Sequence, residues 1–381
     1  MQTKRRNGSA FATAVIAWIT AIAVVVGCCV SAQASPKGNG VETTGLWESI
    51  GEKAATEALT MMGIRKGASK SGNLVVLSNA GYAEVNGCST PAALDGLSRV
   101  TGASRGRCAM LEIHSTSGAP LWFAVFDKSS GMCSYLEMDA SAVNQQTDVR
   151  KTAASKLFRI RAVENIAADY LYSHAQEFKE KSDRKVFGGN EFRIITIANA
   201  VAAGAPVYAV RAFEFHDHYC PGVTSGILMV NYLKKRFPPN DGGYFIHSVS
   251  PWCKEDALLV LLNTTPGKNG YALDHPTDED KAKWKPEAKD ACTIVYRENK
   301  QTGRWDGQVL GFKFGETGCP DYGNPMLGKL CADLWYLNHM DEAEKFLTVI
   351  KEFNLPEGVA PKTWARPGVD PMEKLDLIED K

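Results

Sequence analysis

The chain has 381 residues, enough for two domains of ordinary size, and its 43 basic residues are matched by 43 acidic ones. That balance provides no basic surplus for a phosphate backbone, so nucleic acid is excluded as a partner on charge. The composition is otherwise that of a globular protein.

The chain opens with a positive stretch (Lys4, Arg5, Arg6) and an apolar run from Phe11 to Val26. Ala32-Gln33-Ala34 follows as a small-x-small site. This order predicts a cleaved export signal over residues 1–34 and a bacterial periplasmic location. Lipoprotein anchoring at Cys28 fits less well, because the usual Leu is missing before it. The apolar run is shorter than a comfortable bilayer span. No later run is longer, so no transmembrane span is expected after cleavage. Beyond Cys28 and Cys29 lie eight further cysteines, none in a C-x-x-C pair. Zinc-ribbon, thioredoxin and haem-attachment patterns are therefore excluded, while an oxidising compartment permits disulfides.

The first block, residues 41–185, begins with a helix from Leu46 to Lys66, where Leu46, Ile50, Ala54, Ala58 and Met62 recur at fourfold spacing. A strand from Leu74 to Leu77, a helix from Ala92 to Val100 and a strand from Leu121 to Phe126 follow. Met132 to Met138 returns as the partner strand through the turn Asp127 to Gly131. Thr152 to Lys179 reads as one long helix with Leu157, Ile160, Val163, Ala167 and Leu171 on one side. Charged residues and Gly188-Gly189 then mark a boundary.

The second block, residues 190–355, carries the chemistry. Phe192 to Ala198 reads as a strand or a short helix. Val207 to Phe215 reads as a strand, because it is rich in β-branched and aromatic residues. It leads into Phe215-His216-Asp217-His218-Tyr219-Cys220-Pro221-Gly222. On a strand His216 and His218 share a face. Cys220 would lie about 13 Å from His216 at ~3.3 Å per residue, so a bend at Pro221-Gly222 is needed to bring all three together. Pro221 fits the first turn of a helix that runs to Arg236 and stops at Pro238-Pro239. Cys220 then sits at a helix N-terminus, which favours a thiolate. Tyr244 to Val249 is a predicted strand bearing His247, and Cys253 precedes a helix from Glu255 to Leu262. A disulfide between Cys220 and Cys253 is the plain alternative to a site.

Residues 275–289 read as a charged loop, and Leu327 to Phe353 as a long helix with Cys331 on its apolar face. Cys319 stands in a Gly-rich loop with no partner that the sequence can name. The tail, residues 356–381, holds four prolines and many charges and is expected to wrap the surface without a core.

The block from Phe215 to Gly222 resembles the Phe-His-Gly-His-x-Cys-Pro-Gly signature of the FmdE-like family, named after formylmethanofuran dehydrogenase. Cys253-Lys254-Glu255-Asp256-Ala257 and Thr264-Thr265-Pro266-Gly267-Lys268 are similar to a second block of that family, in the same order. The resemblance covers roughly residues 206–300. Asp217 departs from it, standing where the family has Gly. The resemblance implies a metal site on His216, His218, Cys220 and Cys253, and a core domain that forms intertwined dimers. Mixed nitrogen and sulfur donors suit Zn²⁺ first, with Ni²⁺ or Fe²⁺ as alternatives. A second reading makes Cys220 a nucleophile with His218 as its base. A third is a non-catalytic module for a small-molecule ligand or a partner protein.

The first block reads as a faded copy of the second. Asp95 and Arg107 are spaced like Asp256 and Lys268, Gly81-Tyr82 answers Gly243-Tyr244, and Ala124-Val125-Phe126 answers Ile294-Val295-Tyr296. The expectation is an α+β protein of two related domains, the first degenerate and lacking the ligands. A covalently joined copy can cover the face that a twin would cover, which predicts a pseudo-dimeric monomer with one metal site.

Overall fold

The structure is a computed structural model that describes residues 40–65 and 72–379, so the leader and Cys28 lie outside the described residues. From Gly45 onward the chain forms one compact unit. The fold is α+β, with two five-stranded sheets.

The first half contains helix α1 (Gly40–Met61), β1 (Leu74–Ser78), the small hairpin β2 (Glu84–Val85) and β3 (Cys88–Ser89), and α2 (Ala93–Thr101). It continues with β4 (Met110–Glu112), β5 (Trp122–Asp127), β6 (Met132–Met138), the short α3 (Ala154–Leu157) and β7 (Phe158–Asn165). The strands lie in the order β4-β1-β5-β6-β7, with β1 and β4 parallel and the other pairs antiparallel. Helices α4 (Ala168–Ser173), α5 (Ala175–Asp183), α6 (Glu191–Ala202), α7 (Val207–His216) and α8 (Pro221–Arg236) follow.

The second half holds β8 (Tyr244–Ser248), α9 (Lys254–Leu262), β9 (Tyr271–Leu273), α10 (Asp278–Ala282), β10 (Ala291–Asn299) and β11 (Arg304–Phe312). It ends with α11 (Pro325–Leu337), β12 (Leu347–Asn354), α12 (Pro361–Trp364) and α13 (Pro371–Lys374). Its strands lie in the order β9-β8-β10-β11-β12, again with only the first pair parallel. The two sheets thus share strand order and direction. They also share detail: α2 and α9 end on left-handed residues, Gly102 and Asn263, and short 3₁₀ turns at Arg105–Arg107 and Pro266–Lys268 follow each.

Each half has a close helix crossing made by glycine. A Cβ on Gly51 of α1 would stand 1.9 Å from the Ala93 carbonyl oxygen of α2, and one on Gly226 of α8 would stand 2.4 Å from that of Lys254 in α9. Only the missing side chain lets these backbones approach. One face of the first sheet packs on α1 and α2 (Leu74, Val76, Phe123, Val125 with Ile50, Ala54, Leu97). Its other face and one face of the second sheet share a core with the intervening helices, through Leu77, Trp122, Ile194, Phe213, Ile227, Ile246 and Val295. The outer face of the second sheet packs on the tail through Phe245, Tyr296, Leu355, Met372 and Leu377.

Several expectations are corrected. Val207 to Phe215 is helical, not extended: Ala209, Val210, Ala212 and Phe213 are buried together, an i, i+3, i+4 stripe that a strand could not turn to one side. The expected long helix from Thr152 to Lys179 breaks into α3, strand β7 and helices α4 and α5. The one from Leu327 likewise ends at Leu337, and β12 follows. Both strands are sheet edges whose side chains are mostly half-exposed, so their alternation is faint in sequence. The tail does close a core. Cys331 is not a plain core residue, since it forms a disulfide with Cys319. Cys220 and Cys253 are free thiols, so the disulfide alternative for that pair falls. No helix among the described residues is long and apolar enough to cross a membrane.

Candidate metal and thiol centre

Helix α7 ends at His216 because Asp217 takes the left-handed conformation (φ 66°). Asp and Asn tolerate that region better than most residues, and Gly tolerates it best, which accounts physically for a Gly at this place in the resembling signature. Four residues later the chain re-enters a helix at Pro221, with Cys220 as its N-cap. The turn reverses the chain so that Cys220 Sγ lies 3.9 Å from His216 Nε2.

Cys253 comes from the other side, as N-cap of α9. Gly222 makes room for it, since a Cβ there would stand 2.9 Å from Cys253 Cβ and 3.1 Å from its sulfur. The turn that presents Cys253 is held from beneath by Lys254, which is fully buried. Its ammonium donates to the Ser250 carbonyl at 2.7 Å and to Ser248 Oγ at 3.1 Å, pairs with Glu255, and lies 3.9 Å from the Trp252 ring centre. Burial pulls the Lys254 ammonium below its usual pKa, against the pull of Glu255. Tyr271 closes the network by donating to Glu255.

The ligand atoms of His216, Cys220 and Cys253 all lie within 4.8 Å of one another. Tetrahedral bonds of roughly 2.0–2.3 Å place donor atoms about 3.3–3.8 Å apart, so small side-chain movements would close this trio on an ion. Asp256 Oδ2 stands 2.6 Å from His216 Nδ1, leaving Nε2 for the centre. That carboxylate–imidazole pairing is the usual support behind a metal-binding histidine. His218 is not in the trio. Its Nδ1 is 2.7 Å from Asp217 Oδ1, and its ring centre lies 4.3 Å from that of His216. Asp217 is held in turn by Arg193 at 2.8 Å.

Electrostatics couple the trio. Hydrogen bonds from Cys220 and His216 outweigh burial and bring the Cys253 thiol down to about 4. Burial would lower His216, but Asp256 and Cys253 outweigh it and hold the imidazole up to about 9. Cys220 is pushed strongly up by its hydrogen bond to Cys253 and by burial. Without an ion, these interactions favour a thiolate on Cys253 beside a protonated His216, whereas burial and the Cys253 contact disfavour one on Cys220. The imidazole beside Cys220 is His216, not His218.

Asp256 and Arg193 are the residues that sequence reading missed. Asp256 was legible in part, because it follows Cys253 by one helical turn and so shares its face of α9. Arg193 carried no signal. His247 lies apart, buried and paired with Asp274 at 2.8 Å. The first half reaches the centre only through its support. Arg105 bonds the Glu214 carboxylate at 2.9 Å, the His114 N–H donates to the Glu214 carbonyl at 2.9 Å, and the His114 ring stacks on Phe215.

Fold and centre together define an α+β protein with a half-buried His/Cys/Cys group that could hold a metal ion. Residues 215–319 match the family described as FmdE, Molybdenum formylmethanofuran dehydrogenase operon, and over that segment the chain is FmdE-like. The match begins one residue before His216 and spans Cys220, Cys253 and Asp256. No curated protein matches the chain.

Proposed function

We propose that this is an exported metal-binding protein whose ion is held by His216 Nε2, Cys220 Sγ and Cys253 Sγ. The observation that carries the reading is the convergence of those three donors, with Asp256 aligned behind the imidazole. One nitrogen and two sulfurs suit Zn²⁺ best, with Ni²⁺ or Fe²⁺ as alternatives, and leave a fourth position open, the pattern of catalytic rather than structural zinc. His218 either swings from Asp217 to fill that position or faces the molecule that does. Export is supported by the leader pattern of residues 1–34 and by the Cys319–Cys331 disulfide, which suits an oxidising compartment such as the periplasm. The shared strand order of the two sheets supports an internal duplication, with residues 41–185 as the degenerate copy and 190–355 as the functional one. It also supports a monomer that carries its own twin. Metal analysis of the purified chain tests the centre. About one ion per chain is expected, and none after His216→Ala with Cys220→Ser. Full retention in that double variant would end the reading.

A second reading is favoured by one observation, the His216 imidazole set within 4.8 Å of the Cys253 thiol, where it favours a thiolate. A cysteine-dependent enzyme on this scaffold would attack through Cys253 rather than through Cys220 with His218 as base. Rapid alkylation of Cys253 that is unaffected by added Zn²⁺ would favour it over the metal reading.

A further inference from the structure

A chamber of about 520 Å³ with a mixed polar and apolar lining reaches Asp217, next to His216, bounded on one side by the end of the first sheet and on the other by the segment that leads into α6. Its volume is that of a small-molecule site. The floor is rigid: Trp122, Asn79 and Glu137 are all buried. Asn79 is held there by accepting from the Trp122 N–H at 3.0 Å and donating to the Pro120 carbonyl at 2.9 Å. One wall follows the backbone of Gly188 (φ 63°), which approaches so closely that a Cβ would stand 2.2 Å from Glu137 Oε2.

The two carboxylates in the walls are already matched. Glu137 accepts from the Tyr135 hydroxyl at 2.7 Å and pairs with Arg159, and Asp217 pairs with Arg193 and His218. What remains is donor capacity. Arg193 gives one N–H to Asp217 and makes only a 3.4 Å contact to Asn190 from the other amino group, so part of its planar fork faces the chamber. Thr116 and His114, whose ring stacks on Phe215, also line it. Unspent donors around a guanidinium fork select an acceptor-rich, planar anionic group, which is a carboxylate. The chamber also leads somewhere. It ends on Asp217, which holds His218, whose ring lies 4.3 Å from that of His216.

We propose that this chamber binds a small carboxylate-bearing molecule, anchored on Arg193 and extending past Asp217 toward His216, Cys220 and Cys253. The reach to the centre rests on the metal reading above, whereas the anchor does not. Isothermal titration of the full chain with succinate and glutarate tests it, with succinamide as the uncharged control and with the chain both Zn²⁺-loaded and metal-free. Saturable binding of at least one diacid and none of succinamide is expected. Arg193→Lys should weaken it by at least about tenfold. Thr116→Phe, which narrows the chamber at a residue that lines it and is not one of the trio, should abolish it while the bound metal stays at the level of the unaltered chain. Failure of both diacids to bind, or binding that both variants retain, overturns the proposal. A chain that takes up no metal yet binds a diacid through Arg193 would sink the metal reading and leave the anchor standing.

Discussion

The two halves share a strand order and direction under two different demands. Counting from the glycine crossings, Cys220 corresponds to Gly45, Cys253 to Ala92 and Asp256 to Asp95. The strands, the crossing and the left-handed ends of α2 and α9 persist without the ligands. The centre therefore depends on what is added to the scaffold, and chiefly on a break in the chain. In the second half α7 stops at His216 and α8 starts at Pro221, and the turn between them carries the imidazole back toward Cys220. In the first half α1 runs unbroken from Gly40 through the equivalent place, so no turn delivers a histidine. A second difference concerns the far face of each sheet. Helices α6 and α7 cover it in the first half and the tail covers it in the second, because an apolar face must be buried against something.

Shared architecture predicts shared vulnerability. Gly51→Ala in the first half and Gly226→Ala in the second each force a Cβ into backbone, 1.9 Å from the Ala93 carbonyl oxygen and 2.4 Å from that of Lys254. Overpacking of this kind costs about 3 kcal/mol. Urea unfolding should register both, and tolerance of either one would break the equivalence of the crossings. The tail is the next place to press. Met372→Ala and Leu377→Ala remove side chains that are 1% and 3% exposed. Each should cost about 2–3 kcal/mol. Near-neutral variants would mean that the second sheet's outer face does not need its cover.

The equivalent acids separate scaffold from centre. Asp256→Asn should weaken metal binding about tenfold to hundredfold, or about 1.4–2.7 kcal/mol, by loosening His216. Asp95→Asn, on an exposed position of α2, should leave it unchanged. Equal effects would mean that Asp256 acts only through the fold. The subtlest test is pH. The Cys253 value is lowered from 9.0 to about 4, so the stability it contributes is present above its unfolded value and is lost as pH falls through about 4. The His216 value is raised from 6.5 to about 9, so its contribution is complete below 6.5 and is lost as pH rises through about 9. In the metal-free chain, alkylation of Cys253 by iodoacetamide should therefore change little between about pH 6 and 8, while in the urea-unfolded chain it rises about tenfold per unit. A tenfold rise per unit in the folded chain would refute the pair. Metal binding must displace the His216 proton and the Cys220 proton, so apparent affinity should climb with pH, and less steeply once His216 is deprotonated above about 9.

Elements with strong local punctuation were legible in the chain without its fold. Pro221 starts α8, the turn after Asp127 pairs β5 with β6, and Cys253 caps α9. Two members of the trio stand in one short motif. Packing between distant segments settled what local pattern cannot carry. Val207 to Phe215 has strand-like residue types, yet a stripe of four side chains buried by distant elements makes it a helix. β7 and β12 have helix-compatible spacing, yet a waiting sheet edge draws them out as strands. Cys331 finds Cys319 only because α11 brings them together. The centre itself divides the same way. The residue types of His216, Cys220 and Cys253 are written in the chain, whereas their selection over His218 depends on a single left-handed residue, on Asp256 from another helix and on Arg193 from a third. Those are orientations set by contacts between segments far apart in sequence, and no local pattern encodes them.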